Sequence, residues 1–351
     1  MTKRTLRAGE KIRVLVVDDS VVIRRLVTHA LEEDPGLEVV GAASNGAIAL
    51  QRIPFLNPDV VTLDIEMPEM DGLETLRRIR REHPQLRVIM FSTLTERGAA
   101  ITLTALSLGA DDYVSKAANG GSLDQSLASL RGELIPKIRQ FFKVASPDKS
   151  APVARPVVFT QNASPRRARV LGIGISTGGP AALAAILPTL PQNFPLPVLV
   201  VQHMPPLFTR LLAERLNATC RIPTVEAGQG EPVVPGKIFI APGDFHMKVA
   251  SAGGQVRICL DQSPPLNSCR PAVDALFNSI ADVYGGAAIA MIMTGMGQDG
   301  LQGVRTLKAL GARILAQDEE SSVVWGMPGS VVNAGLADCV LPLDKLVAQV
   351  L

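Results

Sequence analysis

Leu171-Gly-Ile-Gly-Ile-Ser-Thr-Gly-Gly-Pro180 is an apolar, β-branched run that stops at a serine. Small residues then lead into an Ala/Leu-rich helical pattern from Ala181 to Leu187. The stretch reads as buried strand, sharp turn and helix, the repeating unit of an α/β domain, with Ser176 on the turn. Gly174, Ser176 and Gly178 fit the G-x-S-x-G pattern of a nucleophile elbow letter for letter. Glycines there allow turn dihedrals that other residues resist, and let a substrate approach the backbone. A dinucleotide fingerprint does not fit. Counted from Gly172, it needs a glycine where Thr177 stands, and no ribose-binding acid ends the next strand.

Outward from this stretch the alternation continues. In the second half, strands are expected at Arg169–Ile175, Pro197–Val201, Lys237–Ile240, Ala287–Met293 and Ala312–Ala316. Helices are expected at Ala181–Leu187, Leu207–Asn217, Pro271–Val283 and Gly300–Leu310. A hairpin, His246–Ala250 with Gln255–Leu260, interrupts them. The first half repeats the logic with strands at Ile12–Val17, Leu37–Ala42, Val60–Leu63, Arg87–Phe91 and Tyr113–Val114. Its helices are expected at Val21–Glu32, Ala47–Ile53, Gly72–His83, Ala99–Leu108 and Leu123–Phe142. The fold class is therefore α/β: two doubly wound domains, each a parallel sheet covered on both faces. Between them runs a Pro-, Ser- and Arg-rich stretch broken by Pro147, Pro152, Pro156 and Pro165. The expected boundaries are 11–143, a linker at 144–168, and 169–351.

Composition narrows the class. A hydrophobic fraction of 47%, a charged fraction of 19% and a net charge of +2 describe an ordinary globular chain without bulk attraction for nucleic acid or membrane. The longest apolar runs are strand-length, so no membrane insertion is expected. Met1–Lys11 is basic and polar, without the apolar core of a secretory signal. Cys220, Cys259, Cys269 and Cys339 form no C-x-x-C pair. They read as free thiols in a reducing cytoplasm, with neither a disulfide frame nor a zinc site.

Val14-Leu-Val-Val-Asp-Asp-Ser20 and Val60-Val-Thr-Leu-Asp64 are buried strands ending in acids. In a parallel sheet both ends open on one edge, so Asp18, Asp19 and Asp64 converge. Neighbouring carboxylates repel by roughly 4 kcal/mol per pair at about 4 Å in a surface-like dielectric. A hard cation with room for water, Mg²⁺, relieves that repulsion. Ser92 closes a fourth strand and Lys116 follows a fifth, placing a hydroxyl and an ammonium beside a central carboxylate. From Arg13 to Phe142 this pattern resembles the receiver domain of two-component response regulators. The resemblance implies a flavodoxin-like fold with Asp64 as phospho-acceptor and Asp18 and Asp19 as Mg²⁺ acids with it. It also implies Ser92 and Tyr113 as switch residues and Lys116 as phosphate partner. Met67-Pro68 and Asp71-Gly72 match the loop after the acceptor. Ala117 stands where the family normally has proline.

A serine nucleophile needs a base and an orienting group. Of four histidines, His29 and His83 fall in receiver helices, most simply as surface or helix-end residues. His203 ends the strand Pro197-Val-Leu-Val-Val-Gln-His203 and reaches the same sheet edge as Ser176, whereas His246 precedes a short strand and is less well placed. Thr294-Gly-Met-Gly-Gln-Asp-Gly300 runs from a strand into a Gly-rich loop, putting Asp299 just before a helix and leaving main-chain N–H groups around Met296 open to an oxyanion. The order Ser, His, Asp differs from the Ser, Asp, His of α/β-hydrolases.

Together with Gln202-His-Met-Pro-Pro206, Ala241-Pro-Gly-Asp-Phe-His-Met247, Arg270-Pro-Ala-Val-Asp274 and Trp325-Gly-Met-Pro-Gly329, these segments resemble the bacterial chemotaxis protein-glutamate methylesterases, the CheB family. Receiver, linker and effector follow in the family's order. Ile175, Gln298 and Cys269 are mild departures. The resemblance implies a Rossmann-like methylesterase domain with Ser176 as nucleophile, His203 as base and Asp299 as its orienting acid. Thr177 and the Met296 amide would neighbour the oxyanion. It further implies a cytoplasmic enzyme that demethylates glutamyl esters and deamidates glutamines on chemoreceptors. A histidine kinase would phosphorylate the receiver, which covers the active site until then, and the esterase step would need no cofactor. The rival reading is a phosphorylation-switched receptor-binding module without turnover.

Overall fold

Val14-Leu-Val-Val17, Val60-Val-Thr-Leu63 and Val88-Ile-Met-Phe91 carry apolar side chains almost without alternation, and all are buried. Strands covered by helices on both faces require this. The computed structural model describes residues 4–7, 9–93, 95–116, 123–144 and 167–351. The chain divides into two units, Met1–Val153 and Ala154–Leu351. Nearly all of the expected linker, and Ala117, lie outside the described residues.

In the first unit the strands are β1 (Arg4–Leu6), β2 (Ile12–Val17), β3 (Leu37–Ala43), β4 (Val60–Asp64), β5 (Arg87–Ser92), β6 (Asp112–Ser115) and β7 (Phe142–Val144). Five of them form a parallel sheet in the order β3-β2-β4-β5-β6. This is the flavodoxin-like winding, with its switch point between β2 and β4. Four of its helices begin on a side-chain cap: Ser20, Asn45, Asp71 and Thr95 each accept a backbone N–H.

Three expectations at helix ends change, one being the helix expected from Ala99, which begins at Glu96 behind its Thr95 cap. The helix expected to stop at Ile53 runs Gly46–Leu56 through Pro54, since a proline in the last turn removes a single bond, and Asn57 closes it at φ 42°. The last helix ends at Arg139 instead of Phe142. Phe142 opens β7, which pairs in parallel with β1, an element that three residues of ordinary composition do not announce.

The second unit contains β8 (Val170–Ile175), β9 (Val198–Gln202), β10 (Thr224–Glu226), β11 (Ile238–Ile240), β12 (His246–Ala252), β13 (Gln255–Asp261), β14 (Ala288–Ile292), β15 (Arg313–Gln317) and β16 (Cys339–Leu341). Seven strands run parallel in the order β10-β11-β9-β8-β14-β15-β16. Without the edge strand β10 this is the 3-2-1-4-5-6 Rossmann order, and its switch point lies between β8 and β14. β12 and β13 form the expected antiparallel hairpin. The short strands β10 and β16 and the helix Met327–Asn333 were not expected from the sequence.

Helix Val273–Tyr284 lays Val273, Leu276, Phe277 and Ile280 onto the sheet, and Met247 and Val249 of the hairpin join the same buried cluster. Burying each such side chain contributes about 1.5–3 kcal/mol. Gly174 makes the close approach possible, because a Cβ there would collide with Val273 Cγ1.

Candidate functional site

Each sheet carries its reactive groups at its switch point. In the first unit Asp18 follows β2 and Asp64 ends β4. Carboxylate oxygens of Asp18, Asp19 and Asp64 lie within 4.8 Å of one another. Lys116 reaches across from the end of β6, its Nζ 2.9 Å from Asp18 Oδ2 and 2.8 Å from Asp64 Oδ2. Burial raises Asp64 to about 6, against the hydrogen bond from Lys116 and with help from the neighbouring Asp18 charge. Asp18 Oδ2 is buried and, despite its ion pair with Lys116, receives no well-directed hydrogen bond. An all-oxygen donor set of three carboxylates with one under-satisfied oxygen suits a hard divalent cation. A cavity of about 270 Å³ opens beside it, lined by Asp19, Asp64, Glu66, Thr93 and Lys116 among others.

Ser92 ends β5, the strand end at which the sequence puts it. Its hydroxyl is fully buried, accepts from Thr102 Oγ1 at 2.6 Å and donates to the Thr93 carbonyl at 3.1 Å, while Thr93 itself lines the cavity. Thr102, nearly two turns into the helix Glu96–Ser107, is invisible as a partner in the sequence because helical phase alone brings it there. Tyr113 is buried, with Lys137 Nζ 4.9 Å from its ring centroid, and burial pushes its phenol well up.

In the second unit Ser176 directly follows β8. Its N–H donates to the Thr294 carbonyl at 3.0 Å, tying the turn to the end of β14. The left-handed residue of this turn is Gly178, at φ 78°, which starts the helix Gly179–Ile186. The positive φ of the turn falls on a glycine, as the Gly-rich pattern leads one to expect. Ser176 is half-buried, and its Oγ makes no hydrogen bond among the described residues. Gln202, part of a quoted motif but not named as a site residue, holds the Ser176 carbonyl through Nε2 at 2.9 Å. The His203 N–H donates to the Ile175 carbonyl at 3.3 Å, which sets the histidine beside the serine turn.

His203 and Asp299 meet as expected, Nε2 to Oδ2 at 2.8 Å. Asp299 is deeply held. Oδ2 accepts the Val273 N–H at 2.6 Å, and Oδ1 accepts Gly300 N–H at 3.0 Å, Asn267 Nδ2 at 2.9 Å and Asp274 N–H at 3.2 Å. Two of these donors are the first amides of the helix Val273–Tyr284, the end that favours negative charge. Burial opposes ionisation, but the bonds from His203, Val273 and Asn267 outweigh it and hold Asp299 below the usual carboxylate range. Burial likewise works against His203 carrying charge, yet its bonds to Asp299 and Cys269 prevail and raise it to about 9. Cys269 Sγ stands 3.6 Å from His203 Nδ1. Neither Asn267 nor Cys269 was singled out as a site residue. A tight turn joins them, with Asn267 at φ 51° and Ser268 at φ 62°, and nothing in their spacing points toward His203.

The remaining candidates separate cleanly. His246 is fully buried, with Nδ1 accepting the Ala272 N–H at 3.2 Å and Nε2 3.2 Å from the Pro264 carbonyl, so it braces the loop before the helix. Thr177 is buried and its carbonyl accepts from Thr294 Oγ1 at 2.9 Å. The Met296 side chain is exposed, and its N–H enters no hydrogen bond among the described residues. No described helix is long and apolar enough to cross a membrane.

Residues 171–350 match the family model for CheB methylesterase, and residues 14–128 match that for the response regulator receiver domain. A protein-glutamate methylesterase/protein-glutamine glutaminase from Trichodesmium erythraeum is 49% identical over 97% of this chain and 98% of its own. One from Nocardioides sp. is 51% identical over 97% and 94%. Among solved structures, the Thermotoga maritima CheB methylesterase catalytic domain superposes with a TM-score of 0.51 at 47% identity. It covers 52% of this chain and 97% of that one.

Proposed function

The chain belongs to the CheB methylesterase family and carries a response regulator receiver domain. From that premise we infer a phosphorylation-regulated protein-glutamate methylesterase that also deamidates glutamine, acting on the cytoplasmic part of chemoreceptors. The observation that carries the chemistry is the His203–Asp299 pair beside the Ser176 turn. We assign residues 11–143 to the receiver, 144–168 to the linker and 169–351 to the esterase.

Asp299 takes up Nε2, so Nδ1 is the nitrogen left for the serine. His203 Nδ1 accepts the Ser176 proton, Oγ attacks the glutamyl ester carbonyl, and the Met296 N–H, with Thr177 nearby, receives the oxyanion. The imidazolium returns its proton to the leaving methoxide, and methanol departs. Water, deprotonated by the same nitrogen, then hydrolyses the glutamyl-enzyme to glutamate and free serine. A glutamine side chain follows the same course with ammonia as the leaving group. Asp299 keeps its charge throughout because its other bonds fix it as an acceptor.

In the receiver, Asp64 is the acceptor carboxylate, and a histidine kinase is the phosphodonor. Asp18, Asp19 and Asp64 would hold Mg²⁺, which when bound neutralises charge on the incoming phosphoryl group. Lys116 Nζ, already against Asp64, is placed to pair with a phosphoryl oxygen. Tyr113 and Ser92 are the groups whose surroundings would change, Ser92 by leaving Thr102 for the phosphoryl group.

The test is methanol release from methylated receptor membranes by the full chain, with and without a small phosphodonor and Mg²⁺. Release that rises with the phosphodonor is expected. No release in either condition would leave a receptor-binding module as the better reading.

A further inference from the structure

His203 Nδ1 faces a thiol. Asp299 is ionised and already accepts four N–H groups besides the imidazole, so a neutral His203 donates Nε2–H to it and leaves Nδ1 as a bare lone pair. That lone pair meets Cys269 Sγ at 3.6 Å. Zinc–sulfur and zinc–nitrogen bonds of about 2.3 Å and about 2.1 Å, meeting near the tetrahedral angle, separate their donor atoms by about 3.6 Å. A metal-bound histidine whose other nitrogen donates to a carboxylate is also the arrangement that fixes ring orientation and strengthens the ligand.

The thiol is held in place. Leu266 and Cys269 exchange backbone hydrogen bonds of 3.1 and 2.8 Å across the turn, and Asn267, the first turn residue, bonds both Asp274 and Asp299. Both His203 and Cys269 are half-buried, so an ion from solvent can reach them and water can complete its shell. The remaining cysteines, Cys220, Cys259 and Cys339, have no such histidine partner among the described residues.

We propose that His203 Nδ1 and Cys269 Sγ form a two-ligand site for a thiophilic divalent cation such as Zn²⁺, and that its occupation inhibits the esterase. On binding, Cys269 gives up its thiol proton to solvent and the metal takes the Nδ1 lone pair. The inhibitory half rests on the role of His203 proposed above, since an imidazole whose Nδ1 holds a metal has no nitrogen free for the Ser176 proton. Spacing in the sequence argued against zinc because no C-x-x-C pair occurs, and only the fold brings residues 203 and 269 together.

The experiment titrates the full chain with Cd²⁺ and reads the ultraviolet thiolate-to-metal charge-transfer band, then measures ester turnover with and without Zn²⁺. The expected result is a band whose tightest equivalent is lost in C269A and weakened at least about 10-fold in D299N. The other three thiols are common to all variants, and circular dichroism checks folding. Zn²⁺ should inhibit the wild-type chain reversibly, with chelator restoring activity. The ratio of turnover with and without metal should return to near one in C269A, each variant serving as its own reference. A tightest equivalent unchanged in C269A overturns the site and leaves the role of His203 intact. Binding lost in C269A but without inhibition of the wild type keeps the site and overturns both the inhibition and His203 Nδ1 as the catalytic base.

Discussion

Asp64 and Asp299 are almost equally buried, at 3% and 2% exposure, and both lie at the switch point of a doubly wound sheet, yet their carboxyls shift in opposite directions. Asp299 accepts five N–H groups, from Val273, Asp274, Gly300, Asn267 and His203, and stays ionised. Asp64 has Lys116 and an adjacent amide against burial and the charge of Asp18, and it rises to about 6. Burial alone decides neither case; the number of donors aimed at the carboxylate does. One carboxylate is satisfied within the chain, and the mechanism proposed for it leaves that acid ionised throughout. The other lies beside an under-satisfied carboxylate oxygen, Asp18 Oδ2, of the kind a hard cation would relieve.

The strongest way to break this comparison is at the nucleophile. S176A should lower methanol release by roughly 10⁶-fold with folding intact if serine, histidine and acid act as a unit. Turnover near wild type would move the chemistry elsewhere. D299N should cost about 10⁴-fold, because an amide cannot hold the imidazole in the required tautomer.

The pH profile follows next. His203 is raised to about 9, so its neutral, proton-accepting form is lost as pH falls below that value. Measured kcat/KM should therefore climb toward a plateau above about pH 9 and stand roughly 100-fold lower at pH 7. In D299N the residual activity should titrate nearer the ordinary histidine value, and an unchanged midpoint would detach Asp299 from His203.

At Asp64 the sign reverses. Its folded value lies above the reference 3.8, so the folded receiver binds more protons between 3.8 and about 6 and loses stability as pH rises through that window. D64N should abolish labelling by a phosphodonor. Without Mg²⁺ at pH 7 it should also stabilise the receiver transition of the full chain in urea, by about 1–2 kcal/mol. A destabilised variant would mean that Lys116 already offsets the buried charge. The smallest effect belongs to M296L: the side chain is exposed and only its amide is assigned a role, so turnover should stay within about twofold.

Much of this was legible in residue order. Apolar runs ending in Asp18, Asp64, Ser176 and His203 announced strands, and a parallel sheet puts strand ends on one edge whatever the packing between them. Motif likeness added the roles. The helix through Pro54, the β1–β7 pair and the edge strand β10 were not legible, because each depends on pairing or packing that three to eleven residues do not encode.

By itself, then, the sequence determined two α/β units, the positions of the reactive side chains along them and the family to which they belong, since all three follow from local pattern and chemical type. The tertiary structure alone decided how those groups are charged and what they touch. Gly174 lets Val273 close onto the sheet and bring its N–H to Asp299, Thr102 takes the Ser92 hydroxyl, and Cys269 arrives at His203 from 66 residues away. Distance along the chain says nothing about such contacts, whereas the ionisation of a buried group depends on every donor and charge the fold brings within a few ångströms of it.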